Sequence, residues 1–332
     1  MSHETIRICQ FGAGRIGAVH AANVTRNPDC TLRYVVDVNA AAAQSLAEEH
    51  GAKVCGADAA LADEDVDAVI IASSTNTHAD LIEAAARAGK AVFCEKPIDL
   101  DLARVDAALK VVAEHKTILL VGFNRRYDPH FQALHAAIGG GRIGKVELVA
   151  ITSRDPEPPP TDYIRVSGGL FRDMMIHDLD MARWLLGEEP VEVFAAASCL
   201  VDGRISEAGD VDTAVVTLKT AGGALCQISN SRRAVYGYDQ RIEVFGSKGM
   251  LRVENPKPTT LESLDADGTT GDKPLHFFLE RYAEAYRREL SHFVDCVATG
   301  AAPLTGAEAG RRALVLADAA SESLASGRPI RV

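Results

Sequence analysis

The segment after the first strand pattern restricts the fold of this chain more than any other part of the sequence. Ile6–Phe11 is a short strand pattern, and Gly12–Gly17 follows it with the spacing Gly-x-Gly-x-x-Gly. A helical stretch over 18–25 and the strand pattern Leu32–Val36 come next, and Asp37 lies 20 residues after the last glycine. This order is typical of a dinucleotide-binding βαβ unit, because the glycines allow a tight turn, close approach of a pyrophosphate and close helix packing. A tight turn in another α/β protein is the alternative, and the surrounding pattern disfavours it.

Asp37 favours one of the two nicotinamide dinucleotides. A carboxylate accepts hydrogen bonds from a free ribose 2′-hydroxyl and repels a 2′-phosphate, and residues 38–40 offer no arginine to receive that phosphate. We therefore expect NAD rather than NADP, with the N-terminus of the following helix facing the phosphates. The residues expected to contact the cofactor in this motif are Gly12, Gly14, Arg15, Ile16, Gly17 and Asp37.

Alternating strand and helix patterns continue to residue 122 and predict a parallel sheet. Strand patterns lie at 68–72, 91–94 and 117–121, and helical patterns lie at 79–88 and 100–114. In such a sheet, ligands bind beyond the carboxyl ends of the strands. The residues that follow strands there, and that we expect near the cofactor, are Ser73, Thr75, Asn76, His78, Glu95 and Lys96.

Two of these residues have an ordinary alternative. For His78, at a predicted helix start, a cap or a surface residue is favoured over a catalytic role. Lys96 is also explained as a solvated lysine in a surface turn. Pro97 makes that turn rigid, however, and the position of Lys96 beside the predicted nicotinamide site favours a functional role.

After residue 122 the pattern changes, which predicts an NAD-binding Rossmann domain at 1–122 and a second domain at 123–332. A chain of 332 residues exceeds the size of one typical core. The second part contains strand patterns joined by short turns, which favours antiparallel pairing, and helical patterns near its end. We expect an α+β domain there with a mainly antiparallel sheet, and loops at 154–160 and 265–272.

The segment Gly168–Trp184 carries the strongest candidate for acid–base chemistry. Asp173 and His177 lie four residues apart, so on a helix they occupy one face, a single turn apart. A carboxylate beside an imidazole fixes its tautomer and stabilises its protonated form, as a general base requires. A buried structural pair is the alternative, but the nicotinamide fold and Lys96 in the same chain favour catalysis. A metal site that adds Asp180 is a weaker alternative, because no histidine-rich ligand set is present and hydride transfer needs no metal.

Composition excludes several other classes of protein. The net charge of −11 and the pI of about 5.4 are opposite to the basic surface that nucleic-acid binding needs. No apolar run approaches the roughly 20 residues that span a bilayer, and the first five residues lack the pattern of a signal peptide. The seven cysteines are widely spaced without a Cys-x-x-Cys pair, which argues against disulfides and a cysteine zinc site. We expect a cytoplasmic protein without nucleic-acid or membrane partners.

Four motifs resemble, in order, those of the glucose–fructose oxidoreductase / inositol dehydrogenase / rhizopine catabolism (Gfo/Idh/MocA) family. They are Gly12–Gly17, Glu95-Lys96-Pro97, Gly122–Asp128 and Asp173-x-x-x-His177-Asp178. The resemblance spans essentially the whole chain and implies a Rossmann domain, an open-faced sheet domain, and a homotetramer built through that sheet. The segments Ser153–Pro156 and Gly168–Trp184 resemble the inositol-dehydrogenase branch, which implies NAD-dependent oxidation of myo-inositol to the keto-inositol.

The resemblance also implies roles for individual residues. It implies that His177 is the general base and that Asp173 orients it or binds a neighbouring hydroxyl. Lys96 would hydrogen-bond the reacting oxygen and assist proton transfer. The other implied contacts to a polyol are Asp155, Arg125 or Arg126, and Tyr236 or Tyr238.

Two alternative functions remain open from the sequence. The first is an NAD-dependent dehydrogenase of another polyol or an aldose, such as D-chiro-inositol or glucose, since relatives on one fold oxidise different substrates. The second is an NAD-binding regulator without turnover, which would be expected to lack Lys96, Asp173 or His177, although all three are present. No phosphate-binding cluster for the substrate is evident, so we expect a neutral cyclic polyol.

Overall fold

The computed structural model describes residues 5–332, which form two compact units. The first unit comprises the chain up to Tyr127 together with Ala285–Leu314, and the second comprises Asp128–Glu284 and Val315–Val332. The sequence predicted a simpler division into 1–122 and 123–332. The first boundary lies five residues later, and 285–314 return to the first unit. A helical pattern indicates that one face is buried, but not which sheet buries it.

The bounds of the elements are as follows. The strands within residues 5–332 are β1 Ile6–Phe11, β2 Cys30–Val36, β3 Lys53–Val54, β4 Ala68–Ile71, β5 Ala91–Cys94, β6 Leu119–Val121, β7 Val146–Arg154, β8 Pro190–Ser198, β9 Thr213–Thr220, β10 Leu225–Ser231, β11 Asp239–Gly246, β12 Gly249–Val253, β13 Glu262–Asp265, β14 Gly268–Gly271 and β15 Ile330–Arg331. The helices there are α1 Arg15–Arg26, α2 Ala40–Glu49, α3 Ala57–Ala62, α4 His78–Arg87, α5 Leu102–Glu114, α6 Pro129–Gly139, α7 Thr161–Ser167, α8 Ile176–Leu186, α9 Gly203–Glu207, α10 Phe278–Arg281, α11 Ala283–Thr299 and α12 Ala307–Ser326.

The first unit is built on a six-stranded parallel sheet in the order β3-β2-β1-β4-β5-β6. Fully buried runs such as Ala68–Ile71 are typical of parallel strands that helices cover on both faces. The strand order reverses between β1 and β4, and ligands bind at such a switch point beyond the carboxyl ends of the strands. The predicted Rossmann sheet is confirmed.

Helix α11 contributes to the core of this unit. Its buried residues Leu290, Phe293 and Val294 recur at helical spacing. They belong to the same apolar cluster as Ile8 and Phe93 of the central strands. The rings of Phe93 and Phe293 pack edge to face with centroids 5.7 Å apart. This packing fixes the strands whose carboxyl ends carry the predicted cofactor residues.

The second unit contains a seven-stranded sheet in the order β12-β11-β7-β10-β9-β8-β15. Neighbouring strands are antiparallel except β7 and β10, which run parallel. Helix α8 packs against β7 and β10. Alternate positions of the strands expose apolar side chains, including Leu148 of β7 and Phe245 of β11. The predicted open-faced, mainly antiparallel sheet is confirmed.

Three segments of the second unit differ from the sequence prediction. The predicted helix around Asp173 is interrupted, because a π-helical turn at Phe171–Met175 precedes α8. Just before that turn, the backbone amide of Leu170 donates to Oδ1 of Asp210 at 3.0 Å, a contact that no local pattern indicates. Helix α7 follows the predicted loop 154–160 and was not predicted. The predicted loop 265–272 falls mostly within the exposed hairpin of β13 and β14.

Among residues 5–332, no helix is both long enough and apolar enough to span a membrane. All seven cysteines have free thiols, and five of them are buried.

Candidate functional site

The loop after β1 has the shape that a pyrophosphate requires. Gly12 has a φ of +103°, and a Cβ there would lie 2.4 Å from the carbonyl oxygen of Ala72. A Cβ on Gly17 would lie 2.3 Å from the carbonyl oxygen of Gly12. A Cβ on Gly14, by contrast, would meet open space, with no atom of residues 5–332 within 4 Å apart from the adjoining backbone. The first and third glycines are therefore required by packing, and the second leaves its backbone open to a ligand, as NAD binding requires.

A buried side-chain amide without a sequence signal supports this loop. Nε2 of Gln10 donates to the carbonyl oxygens of Gly12 at 2.8 Å and Gly17 at 2.9 Å. Gln10 is fully buried in β1. A polar residue inside a strand pattern gives no signal of this role, because its partners are set by the turn that follows.

Helix α1 begins directly at this loop. Gly14 is its N-cap, and no side chain within residues 5–332 caps it. Arg15, which is exposed, and Ile16, which is half-buried, form the first turn. Their backbone N–H groups lack intrahelical acceptors, so they fit the phosphates of a dinucleotide.

Asp37, directly after β2, is held against the glycine loop. Its Oδ2 accepts from the backbone amide of Ala13, and its Oδ1 accepts from that of Asn39, both at 2.7 Å. The carboxylate is half-buried. Each oxygen has a second lone pair, so the group can also accept the ribose hydroxyls of NAD.

The loop after β4 is fixed by its own side chains. The hydroxyls of Ser73 and Thr77 lie 2.7 Å apart, and the hydroxyl of Thr77 also donates to the carbonyl oxygen of Ser74 at 2.7 Å. Thr75 begins a short 3-10 turn, and Asn76 is exposed in it. The loop thus presents polar groups beyond the carboxyl end of β4, where the sequence places cofactor contacts.

The burial of His78 argues against its predicted role as a cofactor contact. It is 1% exposed, and its ring lies between two backbone carbonyl oxygens, with Nδ1 2.8 Å from that of Pro97 and Nε2 3.1 Å from that of Ser73. Both ring nitrogens therefore face the protein, and the alternative of a surface residue is also wrong. The sequence correctly places His78 at the start of a helix. Its burial depends on the contact of α4 with the turn after β5, which the sequence pattern does not show.

The turn Glu95-Lys96-Pro97 lies at the carboxyl end of β5, and its Lys96–Pro97 peptide bond is cis. Oε1 of Glu95 lies 2.7 Å from Nε2 of the fully buried His20, and a Cβ on Gly122 would lie 2.8 Å from Oε2 of Glu95. Glu95 is thus held inside the unit by His20, in space that Gly122 leaves open. Lys96 is half-buried between these neighbours.

Arg125 and Arg126, the predicted arginine contacts, belong to the first unit. They lie in a 3-10 turn at Asn124–Tyr127 and are 3% and 8% exposed. Such burial of two guanidinium groups restricts their orientation much more than a surface position would.

In the second unit, the parallel pairing of β7 and β10 brings distant residues together. Arg154 and Ser231, at the two carboxyl ends, are register partners. The backbone amide of Asp155 donates to the carbonyl oxygen of Ser231 at 3.0 Å. Asp155 and Arg232 therefore leave the sheet at the same edge.

The π-helical turn places Asp173 at that edge. Oδ2 of Asp173 lies 3.4 Å from Nη2 of Arg232, which is 1% exposed, and the hydroxyl of Tyr163 donates to Oδ1 at 2.8 Å. Both carboxylate oxygens thus have donors from elements distant in sequence. His177 lies just after the turn, half-buried in the first turn of α8. Tyr163 carries no sequence signal, because its role depends on the unpredicted helix α7.

The residue after His177 anchors α8 to the sheet. Asp178 is fully buried, and its carboxylate accepts from Nδ2 of Asn230 at 3.0 Å and from Nε2 of Gln240 at 3.2 Å. These amides belong to β10 and β11, so the start of α8 is tied to two strands. The position of the His177 backbone follows from this anchor.

The two candidate tyrosines have different surroundings. Tyr238 is 4% exposed and packs edge to face with Tyr282, at 5.9 Å between centroids. Tyr236 is 36% exposed, and its hydroxyl donates to Oδ2 of Asp239 at 2.6 Å and lies 3.1 Å from Nη1 of Arg154. Burial and the bond to Asp239 raise the pKa of Tyr236, so its hydroxyl stays protonated at neutral pH.

Comparison with known proteins gives relatives along the whole chain. Residues 6–123 match the oxidoreductase family with an NAD-binding Rossmann fold, and residues 131–252 match the GFO/IDH/MocA C-terminal domain. The inositol 2-dehydrogenase of Rhizobium meliloti (strain 1021) is 56% identical over 329 residues, which cover 99% of this chain and 99% of that protein. The chain belongs to the Gfo/Idh/MocA family of oxidoreductases.

Other members of the family are similar over the same length. The myo-inositol 2-dehydrogenase of Thermotoga maritima is 49% identical over 329 residues, which cover 98% of each chain. The crystal structure of a putative myo-inositol dehydrogenase from Sinorhizobium meliloti 1021 superposes with a TM-score of 0.96 at 56% identity, covering 99% of this chain and 100% of that one. The family and the NAD-binding domain predicted from the sequence are confirmed.

Proposed function

We propose that this protein is an NAD-dependent inositol 2-dehydrogenase that oxidises one secondary alcohol of myo-inositol to the ketone. One observation carries the proposal. The second unit holds Asp173 by two donors just before His177, in a chain whose first unit carries the glycine loop, Asp37 and Lys96. The relatives that bear the names inositol 2-dehydrogenase and myo-inositol 2-dehydrogenase support inositol as the substrate, because they match over nearly the whole chain.

The reaction divides between a hydride and a proton. Bound NAD supplies the hydride acceptor, and the glycine loop and Asp37 hold it. His177 removes the hydroxyl proton as the hydride leaves the carbon, because a general base lowers the barrier as positive character develops there. Lys96 donates a hydrogen bond to the reacting oxygen and assists the proton transfer.

Asp173 orients His177 or a neighbouring hydroxyl of the substrate. The donors Tyr163 and Arg232 fix both of its oxygens, at 2.8 Å and 3.4 Å, so the carboxylate is kept in one orientation. The two oxygens of a carboxylate only accept hydrogen bonds. Asp173 therefore acts as an oriented acceptor.

Several residues are proposed to bind the other hydroxyls of the ring. Asp155 leaves the same sheet edge as Arg232, which supports a polyol contact. Of the two tyrosines, Tyr236 is the better candidate, because Tyr238 is buried against Tyr282. Either Arg125 or Arg126 completes the set. Selectivity follows because each buried polar group left without a hydroxyl costs binding energy.

The direct test is NADH formation with purified protein and a panel of cyclitols and aldoses. We expect turnover with myo-inositol and NAD, and much weaker turnover with NADP. Activity on aldoses alone would contradict the proposed substrate. NAD binding without turnover of any polyol would favour the non-catalytic regulator instead.

Replacement of the base gives a second test. His177→Ala should lower kcat by about 10²–10⁴-fold, the usual loss when a general base is removed. The affinity for NADH should change little, because the cofactor residues lie in the first unit. The control is His115→Ala, at an exposed residue of the first unit outside the site. Near-normal turnover of His177→Ala would remove that residue from the mechanism.

We also propose that the open sheet face forms an interface between copies of the chain in a homotetramer. Met250, Phe245, Leu148 and Leu225 are register partners in sequence across four strands, and each is 38–47% exposed. A contiguous apolar row of this kind is typical of an oligomer contact. Light scattering should give four times the chain mass of 35.4 kDa, and Phe245→Asp should dissociate the assembly. A monomeric wild-type protein would contradict this.

We further propose a cytoplasmic location. All seven cysteines have free thiols, which is the usual state in a reducing compartment. Cell fractionation tests this directly, and recovery of the protein from an oxidising compartment would contradict it.

A further inference from the structure

Two buried histidines contact the residues on either side of Lys96. His20 of α1 is 0% exposed, and its Nε2 lies 2.7 Å from Oε1 of Glu95. His78 of α4 is 1% exposed, and its Nδ1 lies 2.8 Å from the carbonyl oxygen of Pro97. Each residue next to Lys96 is therefore held by a contact with one buried histidine, and we call these two contacts tethers. The two histidines belong to different helices.

The first tether is held rigidly. The ring of His20 packs edge to face on Phe93 at 4.8 Å and on Tyr286 at 5.9 Å between centroids. Gly122 lies beside the carboxylate of Glu95, where a Cβ would be only 2.8 Å from Oε2. The imidazole and the carboxylate thus have little freedom to rearrange.

The second tether joins two loops of the site. The other ring nitrogen of His78, Nε2, lies 3.1 Å from the carbonyl oxygen of Ser73. Burial lowers the pKa of His78, so the imidazole is neutral near pH 7 and carries a single proton. The shorter contact, from Nδ1 to Pro97, is the one expected to contain that proton. The bond to Pro97 is therefore the tether, and the contact to Ser73 is the weaker one.

We propose that His20 and His78 are positioning residues that hold Lys96 for proton transfer. This deepens the proposed function and rests on it for the role of Lys96. Neither imidazole contacts the substrate in this proposal. Each restrains one neighbour of Lys96, so that the ammonium group lies where the reacting oxygen is bound.

The test uses a crossed pair of amide substitutions. An asparagine amide nitrogen reaches about as far as Nδ1 of histidine, and a glutamine amide nitrogen about as far as Nε2. At position 78 the tether uses Nδ1, so His78→Asn should preserve it and His78→Gln should lose it. At position 20 the tether uses Nε2, so His20→Gln should preserve it and His20→Asn should lose it.

The two tether-losing variants should lower kcat by about 10- to 100-fold, because a displacement of about 1 Å of a catalytic group can cost that much. The KM for the polyol and the affinity for NADH should change much less. The tether-preserving variants should retain most of kcat. A purely structural role would instead give similar losses of kcat for the asparagine and the glutamine variant at one position. Thermal unfolding identifies any variant that fails to fold.

Hydrogen exchange of the peptide spanning residues 94–101 provides a readout that needs no substrate. Exchange should be faster in His78→Gln than in His78→Asn, and faster in His20→Asn than in His20→Gln. If the wild-type protein oxidises no polyol, the proposed function fails while this exchange pattern still tests the tethers. If the wild-type protein is active and the two amides at each position behave alike in both assays, the inference is wrong.

Discussion

Asp37 allows a prediction in which cofactor affinity and cofactor choice change together. Its carboxylate accepts the backbone amides of Ala13 and Asn39, both at 2.7 Å, and keeps lone pairs for the ribose. Asp37→Asn removes the charge but leaves one oxygen in place. Loss of a hydrogen bond to a charged group costs about 1.5–3 kcal/mol, which corresponds to an increase in the Kd for NADH of about 10- to 150-fold.

The same substitution should tighten binding of NADPH, because the repulsion between the carboxylate and a 2′-phosphate disappears. Asp37→Ala also releases the glycine loop from its bond at Ala13, so it should weaken NADH binding further than Asp37→Asn. Fluorescence titration with both nucleotides measures all four Kd values. An unchanged ratio of NADH to NADPH affinity in both variants would refute the assignment of Asp37 to the ribose.

Three further changes have outcomes set by the structure. Gly17→Ala places a Cβ 2.3 Å from the carbonyl oxygen of Gly12, so it should lower both the melting temperature and the affinity for NADH. Burial acts to raise the pKa of Asp212, but hydrogen bonds from three backbone amides and a thiol lower it from 3.8 to about 2. Because this pKa is depressed on folding, its contribution of about 2 kcal/mol is complete above about pH 5 and is lost as the pH falls towards 2. Urea unfolding of Asp212→Asn should therefore show a deficit at pH 7 that shrinks below pH 4, and a constant deficit would contradict this. Tyr163→Phe removes the 2.8 Å bond to the carboxylate of Asp173, so kcat/KM for the polyol should fall while NADH affinity stays the same. The expected loss is about 5- to 15-fold, at the low end for a bond to a charged group, because Tyr163 is exposed and water can replace its hydroxyl. A wild-type kcat/KM would contradict the role of Tyr163.

Local patterns in the sequence determined the first unit and its cofactor loop. The strand Ile6–Phe11, the three glycines and Asp37 act through neighbours along the chain, so their spacing is sufficient to predict their geometry. The alternation of strands and helices up to residue 122 fixed the parallel sheet in the same way. The choice of NAD also depended on one carboxylate at the end of one strand.

Tertiary structure decided how the chemistry-bearing residues are held. Arg232 lies 59 residues from Asp173, and Glu95 lies 75 residues from His20, yet each pair is in contact. No periodicity encodes such a pair, because it depends on which sheet edge or helix face the intervening chain returns to. For the same reason, the return of α11 to the first unit and the π-helical turn at Phe171–Met175 were not predicted. The sequence by itself selected Lys96, Asp173 and His177 as candidates, and the packing around them determines which atoms each side chain can expose.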